Sequence, residues 1–583
     1  MESKQATGEL YDFISNLKQR NLQLHTGKNK PVPNRQSLAY ADALLRHSYM
    51  RENLEPLPAQ IVVIGPTQAG KSTIVNSLLD TEAARASPLA GFTRHAQGFT
   101  TQEITDALSA KIQSLLPDWK AVSPAQLNNE ELNTFSLAQI QTNYFTNNKF
   151  MIWDTPDFDS VNSRDYRATA PVMCAMADAI VLVVSKEKYA DQSVWDTLDL
   201  ISPIQRPLFI VINKTATDTT PIIKQAMQNK LDNSDIQYQD IFALPYQHQT
   251  TDKQPLSDSE EMRLLRQQIH NFIDQPFQIT APAILKRWLT KYWSDWTAPI
   301  RNEIDARQEW TEILVAQQKS ALEQFDRDYL QDPHYSETQK KAILRLLELL
   351  EIPGVAGGLK TIRQIVTWPA RKLGGLIKDQ TRFKDDKKEA DQETVFLEEA
   401  CHHYLINLQN QIMQHSENQW WKNIDHELQH HKSELEKQIS SAIQKHQQAF
   451  EPEIELAANK LYEYLTEHPV TLNSLRTARI SADAGAVLLA IKTGGLSLHD
   501  LALAPAFVAI TSFLAEGAVG QHMRTIEAEL KKKQLASVQE HVFKNSLMKN
   551  LLELADRLPK DGLYGFTKTE LESAEAALEK LNG

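Results

Sequence analysis

The chain has 583 residues, a formal net charge of −12 and only two cysteines. This length is sufficient for about two to four domains with sizeable cores. The acidic balance argues against general nucleic-acid binding, because contact with a phosphate backbone requires a basic surface. Two cysteines, Cys174 and Cys401, are too few for a disulfide framework or a cysteine-rich zinc cluster, so we expect reduced structural thiols in a cytosolic protein.

The first predicted segment, residues 1–58, is polar and helix-prone. It ends in Glu55-Pro56-Leu57-Pro58, a composition that is typical of a linker. Its first residues do not form the apolar core of a signal peptide. We therefore expect a cytoplasmic location for the protein.

The second predicted segment, residues 59–275, alternates short apolar runs with helical stretches. The apolar runs are Ile61–Ile64, Phe150–Trp153, Ala179–Val184 and Leu208–Ile212. Alternation of this kind predicts an α/β domain in which helices cover a parallel sheet.

The first apolar run leads directly into a phosphate-binding loop of the form GxxxxGKS. Gly65 turns the chain, and Gly70 lets the backbone close around phosphates. The Lys71 ammonium is placed to reach β- and γ-phosphates, and the Ser72 hydroxyl is placed to bind Mg²⁺. A helix predicted over 72–79 presents its N-terminus to the same anion, which a plain glycine turn does not explain. The predicted nucleotide contacts in this loop are Gly65, Gln68, Ala69, Gly70, Lys71, Ser72 and Thr73.

A second magnesium-side residue is predicted at the end of the next apolar run. Asp154 directly follows Phe150–Trp153 and stands two residues before Pro156. An aspartate alone is equally consistent with the start of a turn. A carboxylate at the end of a strand near the phosphate loop can hold Mg²⁺ through water, and this context favours the metal role.

Together these motifs resemble the GTPases of the dynamin-like or Era-like kind. The segment Gly70-Lys-Ser-Thr-Ile-Val-Asn76 is similar to their loop-and-helix signature, and Asp154-Thr-Pro-Asp157 is similar to their DTPG motif. Asn213-Lys214 resembles the start of their guanine-reading NKxD motif. The resemblance covers the second segment only. It implies GTP as the ligand, Mg²⁺ as the cofactor and hydrolysis of the γ-phosphate as the reaction.

The resemblance also implies roles for residues outside the phosphate loop's core. Thr93 is the best match to the first-switch threonine, which covers Mg²⁺ and the γ-phosphate. Gln68 is the candidate for positioning water, because Phe158 stands where Ras-like enzymes have a glutamine. The implied catalytic set is Gln68, Lys71 and Thr93. The implied metal set is Ser72, Thr93 and Asp154. The implied nucleotide-binding set adds Asp154, Asp157, Asn213, Lys214 and Asp218.

Besides Phe158, two positions depart from the family pattern. Asp157 replaces the glycine whose N–H meets the γ-phosphate, so its carboxylate is expected to point away or to lower affinity by repulsion. Ala216 replaces the aspartate that accepts two guanine N–H groups. Asp218, two residues later, is the candidate substitute if the loop is rearranged. We therefore expect weaker base selectivity than an intact motif gives.

The third predicted segment, residues 276–583, is rich in Leu, Glu, Gln, Lys and His and contains no strand pattern. It predicts a mainly α-helical bundle or stalk. Within it, His426-Glu427-Leu-Gln-His430 matches HExxH, which on a helix can bind zinc with Glu427 as general base. The surrounding polar sequence favours a solvated helix face instead, and a zinc peptidase is kept as the lesser alternative.

Two stretches of this segment are candidates for membrane contact. Residues 352–378 are amphipathic and basic, with Trp368 beside the charges, which suits an anionic lipid surface. Residues 484–520 are apolar, and the stretch Leu501–Val519 is just long enough to span a bilayer. The alternative for both stretches is an apolar hairpin buried in the bundle.

The sequence therefore predicts an α/β Ras-like P-loop GTPase domain with a long helical stalk. The predicted function is to bind and hydrolyse GTP and to couple nucleotide state to a stalk that self-associates or contacts the inner face of a membrane. The alternative is a nucleotide-gated scaffold with negligible hydrolysis, which Asp157 and Ala216 favour.

Overall fold

The computed structural model describes residues 2–25, 32–53, 57–84, 93–127, 133–145, 150–159, 169–216, 218–245, 256–273, 281–332, 337–350, 392–477, 511–512 and 514–581. The chain divides into two compact units: Met1–Ile304 with Asp561–Gly583, and Asp305–Lys560. The domain boundaries after residues 58 and 275 stay a prediction.

The first unit is built on an eight-stranded sheet in the order β3-β4-β2-β5-β1-β6-β7-β8. Its strands are β1 Ala59–Ile64, β2 Ala96–Thr100, β3 Lys120–Val122, β4 Thr134–Gln139, β5 Phe150–Asp154, β6 Ala179–Ser185, β7 Leu208–Thr215 and β8 Asp240–Pro245. Strands β5, β1, β6, β7 and β8 are parallel to one another. Strand β2 pairs antiparallel with β5, and β3 and β4 share its direction.

The predicted α/β fold is confirmed, and the four apolar runs form β1, β5, β6 and β7. The sequence analysis missed the other four strands. Strand β2, for example, reads Ala-Gln-Gly-Phe-Thr, which is neither continuously apolar nor regularly alternating. A short segment such as β2 is stabilised by pairing with neighbouring strands, so its sequence need not show a strong apolar pattern.

The central strand β1 is buried on both faces of the sheet. Val62 and Ile64 pack into one hydrophobic core, and Ile61 and Val63 pack into the other. Successive side chains of a strand point to opposite faces, so a strand covered on both sides must be apolar throughout. This burial explains the continuous apolar run that precedes the phosphate loop.

The helices are labelled in chain order. They are α1 Glu2–His25, α2 Arg35–Asn53, α3 Lys71–Leu79, α4 Asp106–Leu115, α5 Thr169–Met176, α6 Gln192–Ile201, α7 Thr220–Asn233, α8 Glu260–Ile273, α9 Pro282–Phe325, α10 Glu337–Leu349, α11 Gln392–Gln414, α12 Gln419–His430, α13 Lys432–Glu467, α14 Pro469–Thr477, α15 Gly517–Val538, α16 Lys549–Asp556 and α17 Lys568–Lys580.

Helices from both ends of the chain complete the first unit. Leu10 of α1, Leu44 of α2 and Leu578 of α17 belong to the same core as one face of the sheet. Trp288 and Trp296, near the start of α9, are buried in that core as well. The first 58 residues therefore belong to the same unit as the sheet. The apolar faces of α1 and α2 are buried in the core of this unit.

In the second unit, the secondary structure of the described residues is entirely helical, with short turns between the helices. Leu346 of α10, Ala458 of α13 and Leu530 of α15 belong to one hydrophobic core. The rings of Trp310 and Trp420 are in edge contact, with centroids 6.2 Å apart. The predicted long helical region is thus confirmed.

The two candidate membrane stretches are largely beyond what the structure describes. Residues 352–378 lie outside the described residues, and so do 484–510 and 513. Within the described ranges, none of the helices combines the length and the apolar character needed to cross a membrane.

Candidate nucleotide-binding site

The phosphate loop lies at the carboxyl ends of the central parallel strands. Strand β1 sits between β5 and β6, and the loop connects it to α3. In open α/β sheets this edge is where ligands bind. Helix α3 begins at Lys71, one residue before the predicted start, and Gly70 precedes it with a left-handed φ of 94°. The loop thus ends at a helix N-terminus, as phosphate binding requires.

Both glycines of the loop are required by close approaches. A Cβ on Gly65 would lie 2.1 Å from the Val183 carbonyl oxygen of β6. A Cβ on Gly70 would lie 2.3 Å from the Asn213 amide nitrogen, and its φ is also unfavourable for other residues. The turn at Gly65 and the left-handed residue at Gly70 thus leave no room for a side chain, and a backbone that curves closely in this way fits a bound phosphate chain.

The three residues predicted to hold Mg²⁺ are brought together. The Ser72 hydroxyl donates to Asp154 Oδ2 at 2.6 Å, and the Thr93 hydroxyl is 3.3 Å from Ser72 Oγ. Asp154 Oδ1 is buried and has no hydrogen-bond partner among the residues that the structure describes. A hydroxyl pair beside a carboxylate oxygen that lacks a partner is a donor set of hard oxygens, which fits Mg²⁺.

The Asp154 carboxyl is electrostatically suited to a cation. Its pKa is raised to about 6, chiefly by burial and in smaller part by the Asp157 charge, although the Ser72 hydrogen bond and the Lys71 charge act to lower it. Burial of a carboxylate away from water penalises its charged form. A divalent cation beside Asp154 would offset that penalty, so the site favours binding of one.

Lys71 is buried inside the loop. Its ammonium donates to the carbonyl oxygens of Gly65 at 3.1 Å and Pro66 at 3.3 Å. It also forms an ion pair with Asp157. Of the two outcomes expected for Asp157, the carboxylate turns toward the loop, and the lowering of phosphate affinity by repulsion stays a prediction. The carboxylate turns into the loop because Lys71 is the buried cation that it can reach.

The residues predicted to read guanine contact the phosphate loop from β7. The Asn213 amide donates to the Ala69 carbonyl oxygen at 3.0 Å, and Lys214 Nζ donates to the Gln68 carbonyl oxygen at 2.8 Å. Lys214 has a left-handed φ of 59°, where the pairing of β7 with β8 is irregular. Such an irregularity redirects side chains, and here it directs both toward the loop.

The remaining predicted residues lie around this centre. Asp218 is exposed in the turn before α7, and Thr73 is exposed on the first turn of α3. Gln68 is exposed, with a left-handed φ of 61°. Phe158 is buried. The roles of Gln68 and Asp218 stay predictions.

Sequence reasoning missed Asp159 as a residue of the site. Its Oδ1 accepts hydrogen bonds from the Thr67 backbone N–H and the Thr67 hydroxyl, both at 2.6 Å. Its Oδ2 is 3.1 Å from Lys188 Nζ, in the loop after β6. An aspartate two residues beyond Asp157 was the only signal in the sequence, and nothing in local spacing connects it to the phosphate loop.

The HExxH segment lies on α12 of the second unit. The rings of His426 and His430 stack with centroids 6.4 Å apart. Glu427 Oε1 is 3.4 Å from His426 Nδ1, and its Oε2 is 3.5 Å from His431 Nδ1. Across the described residues, no group of three or more His, Cys, Asp or Glu side chains is arranged to hold a metal ion. The zinc-peptidase alternative therefore has no geometric support there.

Comparison with protein families agrees with this geometry. Residues 60–214 match the family model described as 50S ribosome-binding GTPase. This part of the chain is similar to P-loop GTPase domains and has their α/β fold. The family resemblance predicted from the sequence is thereby confirmed, and it is limited to this domain. No curated protein matches the chain.

Two solved structures align with most of the length of this chain. Both are described as an oligomerised bacterial dynamin pair that provides a mechanism for the long-range sensing and tethering of membranes. One shares 12% identity, covers 93% of this chain and 91% of its own, and has a TM-score of 0.32. The other shares 11% identity, covers 98% and 94%, and has a TM-score of 0.28. At these TM-scores, the similarity adds nothing to the assignment of function.

Proposed function

We propose that the protein binds GTP with Mg²⁺, hydrolyses the γ-phosphate and passes the nucleotide state to its helical unit. The observation that carries the proposal is the convergence of Ser72, Thr93 and Asp154 beside Lys71 in a GTPase domain. A metal ion held there neutralises charge on the phosphates. The chain's own residues supply the cradle, the ammonium and the oxygens that hold the cation.

One experiment tests whether the protein hydrolyses GTP. Gln68 is the residue proposed to orient water, and Thr93 is proposed to close over the cation. Phosphate release from GTP is measured with the full chain and Mg²⁺, beside a titration of nucleotide binding. Phosphate release that falls when Gln68 is replaced supports a GTPase. Binding without release supports the alternative, a nucleotide-gated scaffold.

We predict that the protein prefers GTP to ATP, with less discrimination than an intact NKxD motif gives. Ala216 cannot accept from guanine, and a hydrogen bond to a charged group contributes about 1.5–3 kcal/mol. If Asp218 substitutes, Asp218→Ala lowers GTP affinity and leaves ATP affinity unchanged. Titration of fluorescent GTP and ATP measures both, with Asp232→Ala near the end of α7 as the matched control. Tighter binding of ATP than of GTP by the unaltered protein contradicts guanine selectivity.

The helical unit is proposed to self-associate or to bind the inner face of an anionic membrane from the cytoplasm. The support for membrane binding is the sequence of two stretches, the basic one over 352–378 and the apolar one over 484–520. Basic side chains near an anionic surface contribute about 1 kcal/mol each, and apolar burial then holds the protein there.

We predict that the protein sediments with anionic liposomes and that added salt weakens this binding. Neutral liposomes are the lipid control. Phe507→Asp should also reduce binding, because a carboxylate opposes apolar burial. A protein that stays in the supernatant with both lipids, in every nucleotide state, excludes membrane binding. The contribution of basic charge to liposome binding is tested with a variant in which four residues are neutralised together: Lys360, Arg363, Arg371 and Lys372.

A further inference from the structure

Two carboxylates that follow β5 contact the phosphate loop. Asp157 is paired with Lys71, and the two side chains are only 10% and 4% exposed. Asp159 accepts from both the backbone N–H and the hydroxyl of Thr67. The loop's ammonium and one of its backbone donors are therefore already engaged by anions of the same chain.

These donors are the kind that a phosphate group needs. An ammonium, a backbone N–H and a hydroxyl are what a phosphate-binding loop presents to phosphate oxygens. A carboxylate satisfies the same donors with the same sign of charge. Because two anions at one site repel each other strongly when buried, a phosphate at this end of the loop must displace the carboxylates.

A third element holds Asp159 in place. Lys188 lies 3.1 Å from Asp159 Oδ2 and 2.9 Å from Asp191 Oδ2. Burial acts to raise the pKa of Asp159, but the hydrogen bonds from Thr67 and Lys188 outweigh it and hold the pKa below its ordinary value. The residue is thus a fixed anion at neutral pH, not one that protonation removes.

We propose that Asp157 and Asp159 stand in for the γ-phosphate and so make the site select a nucleoside diphosphate over the triphosphate. The inference rests on the proposed nucleotide-binding function. Both nucleotides use the backbone at the start of α3, but only the triphosphate brings an additional anion toward Lys71 and Thr67. Loading of the triphosphate then requires the segment after β5 to withdraw, which makes the two carboxylates determinants of nucleotide specificity.

The test compares dissociation constants for fluorescent GDP and GTP, measured with Mg²⁺ on the full chain. We expect the unaltered protein to bind GDP more tightly than GTP. Asp157→Asn keeps the side-chain shape and removes the charge. It should tighten GTP binding at least tenfold, equivalent to about 1.4 kcal/mol, and tighten GDP binding less. Asp199→Asn, an exposed carboxylate of the same unit, is the matched control and should change neither constant.

A second variant and thermal melting distinguish a change in nucleotide affinity from a loss of folding. Asp157→Asn leaves the Lys71 ammonium with carbonyl partners only, so thermal melting is recorded for every protein. Asp159→Asn leaves the Lys71–Asp157 pair in place and should also raise the ratio of GTP to GDP affinity. If both variants fold and the ratio is unchanged, the inference is wrong while nucleotide binding stands. If the folded, unaltered protein binds neither nucleotide, the proposed function fails and this inference fails with it.

Discussion

Replacing Lys71 by alanine is expected to lower GTP affinity by at least about 100-fold, or roughly 2.7 kcal/mol. The ammonium is buried within the loop, where its attraction to phosphate is little screened by water. The Gly65 and Pro66 carbonyl oxygens hold it inside the loop, where a phosphate can replace Asp157 as its anionic partner. Titration with fluorescent GTP measures the loss, and Lys291→Ala, an exposed lysine of the same unit, is the control.

The same substitution also removes the partner of Asp157. Breaking a buried ion pair from one side costs about 3–5 kcal/mol of unfolding free energy, because the remaining charge is uncompensated. The double variant Lys71→Ala with Asp157→Asn removes that charge. It should recover stability in chemical denaturation without recovering GTP binding. Equal GTP affinity of Lys71→Ala and the unaltered protein contradicts the assignment of the loop as the phosphate site.

Replacing Gly65 by alanine is expected to destabilise the first unit by about 3 kcal/mol or more. The new methyl group would lie 2.1 Å from the Val183 carbonyl oxygen. Val183 is on β6, which is paired with β1 on one side and β7 on the other. A backbone oxygen held in a central strand cannot move aside as a flexible side chain can. Either the chain turn or the pairing of β1 with β6 must therefore change, and nucleotide binding should be lost with it.

Gly8→Ala is the matched control for this prediction. Gly8 is inside α1, and a Cβ there meets Tyr49 Cε2 at an ordinary 3.7 Å. Alanine at an interior helix position is favoured over glycine by about 1 kcal/mol, so this variant should be neutral or more stable. Denaturant midpoints of the two variants compare the effects directly. A Gly65→Ala protein as stable as the unaltered one contradicts the close approach to β6.

Sequence and tertiary structure contributed differently to the phosphate loop. The residues from Gly65 to Ser72 form one continuous segment, so their spacing alone predicts a strand, a turn and a helix N-terminus around an anion. Asp154 was predictable for a related reason: it ends an apolar run, and the ends of parallel strands meet at one edge of the sheet. The loop and the position of Asp154 depend on local chain geometry and on burial, and both can be inferred from composition and periodicity.

The strands β2, β3, β4 and β8 were not identified from the sequence. Strand β2 has no regular apolar pattern, and β3 has only three residues. Strand β8 does contain the apolar run Ile241–Leu244, so its strand was readable from the sequence and was overlooked. The packing of α1 and α2 against one face of the sheet was hidden in the sequence. The apolar face of an amphipathic helix indicates that the helix packs against another surface, but it does not identify that surface.

The directions of the two carboxylates after β5 were decided only in three dimensions. The sequence identified Asp157 as a departure from the family glycine, and repulsion from phosphate predicted either that its carboxylate turns away or that it lowers phosphate affinity. It turns inward because Lys71 lies within reach, and Asp159 contacts Thr67 although 92 positions separate them in the chain. Pairing of buried charges depends on distances that folding creates, and the order of residues does not contain those distances. The sequence thus determined the strand, the turn and the helix N-terminus of a loop that is predicted to bind phosphate, while the tertiary structure decided which carboxylates of the chain contact that loop.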